Sequence, residues 1–224
     1  MRIKVDIKLP QIRVNRVIRS FIVVDLLLWG GWGLVSPVFA LFVVDRIAGA
    51  TAATVGVAVA VYWVVRSIVQ VPTAVLLDRR EGEKDDFLVL LAGLILAGFS
   101  AMAFPLVTSV AWLLSVALLQ GIAFGLYIPA WSAIFSRHLD KEHYAFDWSL
   151  DNTTLGIAAG VAAAIGGAGV SLFGFNAIFI FAGVLSFASA LVLFLVPNLM
   201  FPHEKRGVAG EPFIRDHTPA GTPH

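Results

Sequence analysis

Apolar residues gather into six long runs, roughly 21–44, 54–77, 87–107, 110–135, 153–173 and 177–201. The run over 54–77 is about 24 residues, which at ~1.5 Å rise crosses a hydrocarbon core of about 30 Å with some tilt. Each run therefore predicts a transmembrane helix. The links at 107–109 and 172–176 are so short that the helices they join must be antiparallel neighbours. The second run ends abruptly in a charged link, Asp78 to Asp86.

Polar positions inside the runs are distributed unequally. The first run places Asp25, Trp29, Trp32 and Ser36 on one helical face, and the second does the same with Tyr62, Arg66, Gln70 and Thr73. The fourth aligns Gln120, Phe124, Tyr127 and Trp131, and the start of the fifth aligns Asp147, Asp151 and Thr154. The third and sixth runs offer little beyond Ser100, Ser186 and Ser189. A striped helix turns its stripe toward protein or water, whereas an apolar helix can face lipid. Helices 1, 2, 4 and 5 are expected to be inner and helices 3 and 6 peripheral. The cavity-lining candidates are Asp25, Trp29, Trp32, Tyr62, Arg66, Gln70, Gln120 and Tyr127. Arg66 stands out, because helix packing seldom requires a guanidinium at mid-membrane. Asp25 is its nearest counter-ion by charge, about 10 Å away in depth at ~1.5 Å per residue. The other polar groups also suit plain interhelical hydrogen bonding. Gly156, Gly160 and Ala164 repeat every four residues, a spacing that predicts a close helix contact.

Composition supports the membrane reading. With 58% hydrophobic and 14% charged residues in 224, the chain is too apolar for a water-soluble domain of its size. Fourteen of the sixteen Lys and Arg residues fall in the N-terminal segment, the 78–86 link, the 136–152 loop and the C-terminal tail. The positive-inside rule places all four, and so both termini, in the cytoplasm of a cell-membrane protein. The chain divides into a basic segment over 1–20, a membrane domain over 21–201 and a tail over 202–224 expected to be disordered. The apolar run continues well past Val38-Phe39-Ala40, which sets aside a cleaved signal peptide.

Chemistry narrows little further. No cysteine is present, which excludes disulfides and thiolate sites. No phosphate loop, HExxH or Ser/His pair at useful spacing points to an enzyme, a cofactor or a metal. His138 and His143 read as surface loop residues, and the near-neutral net charge argues against nucleic acid.

Six helices with cytoplasmic ends, divided 3+3 by the long central loop, resemble one half of a major facilitator superfamily transporter. The charged link resembles the family's G-x-L-x-D-R-x-G-R-R signature in Asp78, Arg79 and a displaced Gly82, with Ala74 at the first glycine. The fourth run matches R-x-x-Q-G-x-x-x-G at Gln120, Gly121 and Gly125, with Ala117 at the arginine. The span-5 antiporter motif is kept only at Gly166 and Gly167. The resemblance implies an all-α, six-helix half bundle and a gating role for Asp78, Arg79 and Arg80. A complete member has two such halves related by an axis along the membrane normal. A parallel homodimer, or a second half encoded separately, is then the expected partner. The function implied is alternating-access transport of a small polar or anionic solute, possibly coupled to an ion gradient. The alternative is a scaffold that uses the same faces for partner helices.

Overall fold

A computed structural model describes residues 16–79, 83–139 and 144–195. The helices are α1 (Arg16–Val35), α2 (Phe39–Arg46), α3 (Ala52–Asp78), α4 (Lys84–Ala103), α5 (Val110–His138) and α6 (Tyr144–Leu195), with a 3₁₀ turn at Phe104–Leu106. Among the described residues there is no strand, and five helices are long and apolar enough to cross a membrane. The basic N-terminal segment up to residue 15 and the tail lie outside the described residues, as do Arg80, Gly82 and His143.

The first run is not one helix. Pro37 lacks a backbone N–H, and the chain turns at 36–38 before α2 resumes. The last helix, by contrast, carries two runs. Gly174 breaks it with φ 77° and ψ 170°, a conformation favourable only to glycine. The chain reverses there, as the contacts with α1 show. Asp25 lies by Asp151 and Gly33 by Ala159, so the first half of α6 runs parallel to α1. Ser189 donates to the Val24 carbonyl at 2.7 Å and Gly31 lies by Ala182, so the second half runs antiparallel.

In a bilayer the helices gain little hydrophobic energy from meeting one another, so close packing and polar contacts must hold them. Rings supply much of the packing. Phe42, Phe104, Phe175 and Phe179 cluster at one end, with Phe104 stacked on Phe179 at 4.7 Å. Phe21, Trp131, Phe135 and Trp148 cluster at the other. Close approach supplies the rest. A Cβ at Gly166 would sit 2.2 Å from the Leu34 carbonyl oxygen, so only glycine lets α6 lie this near α1. Gly156 and Gly160, the expected contact stripe, have open space above them. The α1 contact runs instead through Ala159, Ala162 and Gly166.

Burial also departs from the expected order. Only 6% of the most apolar stretch of α3 is buried, against 56% in α1 and 50% in α4. Within this chain the second striped helix is the outermost one, packed along α5, while α4 is wedged between α5 and α6.

Candidate functional site

The α3–α5 contact positions the site. Gly121 and Gly125 bring α5 against the α3 backbone, since a Cβ at Gly125 would lie 2.7 Å from Val69 Cβ and 3.0 Å from the Arg66 carbonyl oxygen. On either side of this seam lies a recess. The upper one, about 260 Å³, is lined by Trp29, Trp32, Ser36, Tyr62, Trp63 and Gln120 among others. The lower one, about 600 Å³, takes in Gln70, Asp78, Ser132 and Arg137.

Arg66 falls between the two, one helical turn from Tyr62 and one from Gln70. Its guanidinium donates to the Tyr62 hydroxyl at 3.2 Å and lies over the Trp63 ring at 4.6 Å from the centroid. Tyr62 and Trp63 both belong to the upper wall, so the positive charge sits at its rim. Asp25 is not the partner of Arg66. It is buried beneath the upper recess and accepts a hydrogen bond from Tyr127, itself fully enclosed. Trp29, Trp32, Tyr62 and Gln120 thus stand in the upper wall and Gln70 in the lower, while Asp25 and Tyr127 lie under the floor. The floor is aromatic, with the Phe124 ring 5.4 Å from Trp29 and 5.5 Å from Trp32.

The charged end of the bundle holds contacts that spacing alone did not suggest. Asp78 closes α3 and Arg79 caps it. Six residues beyond the expected gating trio's last member, the buried carboxylate of Asp86 forms an ion pair with Arg137 on the last turn of α5. Next to it, His138 Nδ1 stands 3.7 Å from Glu83 and 3.0 Å from the Ile134 carbonyl oxygen. His138 is therefore a half-buried helix residue rather than a solvated loop residue. Burial raises the Glu83 carboxyl above the ordinary range, and the neighbouring His138 and Arg137 only partly offset this. Three buried polar atoms have no hydrogen-bond partner among the described residues: Trp32 Nε1, Trp131 Nε1 and Asp151 Oδ1.

Helices long and apolar enough to cross a membrane, with two recesses along one interhelical seam, define a polytopic membrane protein. The chain belongs to the Major Facilitator Superfamily, whose sequence profile matches residues 21–219. Its fold is similar to that of the POT family transporter PepTSo, solved as an in meso crystal structure, with a TM-score of 0.58 at 16% sequence identity. The similarity covers 84% of this chain and 38% of that one, so the chain spans well under half of that transporter's length. The comparison with curated proteins finds no match.

Proposed function

We propose that the protein is a secondary transporter of a small polar or anionic solute, working by alternating access in a body of two six-helix bundles. The second bundle is another copy of this chain in parallel orientation, or a separate second half. In this reading both termini are cytoplasmic, the chain sits in the cell membrane as a 3+3 half bundle, and Asp78, Arg79 and Arg80 belong to the gate between halves.

The observation that carries the reading is the pair of recesses at opposite ends of the α3–α5 seam, with Arg66 between them. A solute path needs an opening toward each side and a selective group at the waist, and a mid-membrane cation favours anionic or strongly polar cargo. The sparse covering of α3 has a matching explanation. A helix that is inner in a two-bundle body lies at the surface of one bundle alone.

Uptake of labelled anionic and zwitterionic solutes into proteoliposomes, with and without a pH gradient, tests the proposal. Flux of at least one class is expected. Arg66→Ala should lower that flux by about tenfold or more, the scale on which a focused charge raises local solute capture, while leaving the protein folded. An intact protein that moves none of the panel would favour the scaffold reading.

A further inference from the structure

Half of the twelve residues that line the upper recess are aromatic, Trp29, Trp32, Phe39, Tyr62, Trp63 and Phe124, against 12% of the whole sequence. Among the described residues the lower recess has no aromatic lining at all. The two recesses therefore differ in kind, the lower aliphatic and polar, the upper built of rings. Phe124 on α5 is the hub of the upper wall. Trp29 and Trp32 of α1 and Tyr62 of α3 all meet its ring, Tyr62 at 6.0 Å and nearly perpendicular. Phe124 itself is 2% exposed and serves packing, whereas Trp29 and Tyr62 are half-buried and Trp63 is 52% exposed, so these rings keep free surface. Walls of tilted and edge-on rings receive a flat ring in the same geometries, with a gain beyond the area buried.

Charge decides what that ring carries. No acid or base lines the recess, so its field comes from the rim. Arg66 gives one N–H to Tyr62 and lies over Trp63, and its other donors have no partner among the described residues. Trp32 Nε1 is a further buried donor without an acceptor. A Cβ at Gly121 would lie 2.8 Å from the Tyr62 carbonyl oxygen, and this close approach sets the neighbouring Gln120 level with Tyr62. Asp25, beneath the floor, is 1% exposed and offers the recess no acceptor. A cage of rings can hold a cation, but a guanidinium at the rim with no acid in the wall repels one. The same arrangement suits a carboxylate, whose two oxygens match the guanidinium fork.

We propose that the upper recess binds a one-ring aromatic carboxylate, the ring among Trp29, Tyr62 and Phe124 and the carboxylate on Arg66. At about 260 Å³ the recess falls just below the roughly 300–1,000 Å³ of sites for drug-sized ligands, which leaves room for one ring rather than several. That this ligand is the cargo rests on the transport reading; the binding site does not.

Equilibrium binding of radiolabelled benzoate, the simplest member of that class, to the full chain in lipid nanodiscs, with empty nanodiscs subtracted, tests the site. Saturable binding is expected. Unlabelled benzoate should displace it, whereas equal concentrations of acetate, which has the charge and no ring, or of benzyltrimethylammonium, which has the ring and the opposite charge, should not. Arg66→Gln should weaken binding about tenfold or more, the loss of a charge-assisted contact, and Trp29→Leu about threefold or more, the loss of one ring contact. Trp112→Leu removes an exposed ring of α5 outside the recess and should leave binding unchanged. No saturable binding, equal displacement by acetate, or a preference for benzyltrimethylammonium would overturn the proposal. So would binding that either recess variant leaves unchanged or that Trp112→Leu weakens as much. Should a variant fail to fold, the competitor series on the unmodified chain decides. Flux of another solute without benzoate binding removes the ring site alone, and benzoate binding without flux of any solute removes the transport reading alone.

Discussion

The Arg137 guanidinium is partly exposed, with its side chain 39% accessible, but the Asp86 carboxylate it holds is buried. Arg137→Ala leaves that carboxylate without its ion pair inside the protein. The expected cost is about 1–3 kcal/mol, at the lower end because the guanidinium is part solvated, and urea or thermal unfolding in detergent would measure it. Glu83 gives a pH signature of opposite character. Its carboxyl is pushed upward by burial, so as pH rises past the ordinary glutamate value of about 4.3 the unfolded chain ionises first and the native state binds more protons. Native stability should therefore fall from that point until the native Glu83 has also ionised. Glu83→Gln should flatten this part of the curve and leave stability below it unchanged, as a melting-temperature series from pH 4 upward would show. Neither contact was legible in the sequence. Helical spacing gathers residues on one face of one helix, as it did for Trp29 with Trp32 and for Tyr62 with Arg66. It carries no information on which face of another helix will oppose them, so the pairing of Asp25 with Tyr127 rather than Arg66 was beyond its reach.

Among the elements, length and hydropathy were enough to find the apolar helices, because a membrane demands long uninterrupted runs. Backbone detail was less accessible. Pro37 breaks its helix whereas Pro72 and Pro129 lie inside α3 and α5, and the apolar pattern around the three prolines does not tell these cases apart. Small residues pose the same difficulty, since spacing marks a face as smooth without saying what approaches it. The structure separates the cases sharply. Gly166→Ala forces a Cβ onto the Leu34 carbonyl and should destabilise the α1–α6 contact by about 1–3 kcal/mol, the usual range for overpacking. Gly156→Ala meets open space and should be neutral or slightly stabilising. Parallel detergent-unfolding curves of the two variants would separate a packed from an unpacked glycine. Equal effects would mean that α6 does not sit against α1 as described.

At the scale of the molecule, the outward face of α3 is the feature the single bundle does not explain by itself. Val64, Ile68, Val71 and Val75 form one exposed stripe along it, beside the half-buried Arg66. If a second copy covers α3, a cysteine introduced at Ile68 or Val71 should cross-link chain to chain under mild oxidation, and native mass measurement should find two chains. The absence of cysteines from the sequence leaves the cross-linking free of background. Cross-linking to a different membrane protein instead would identify a separate second half. The central claim, that α3 walls a wet passage, is tested most directly by the accessibility of position 66 in native membranes. Arg66→Cys should react with a membrane-impermeant, hydrophilic thiol reagent from at least one side. Modification only by lipid-soluble reagents, with no reaction from either aqueous face, would contradict the account.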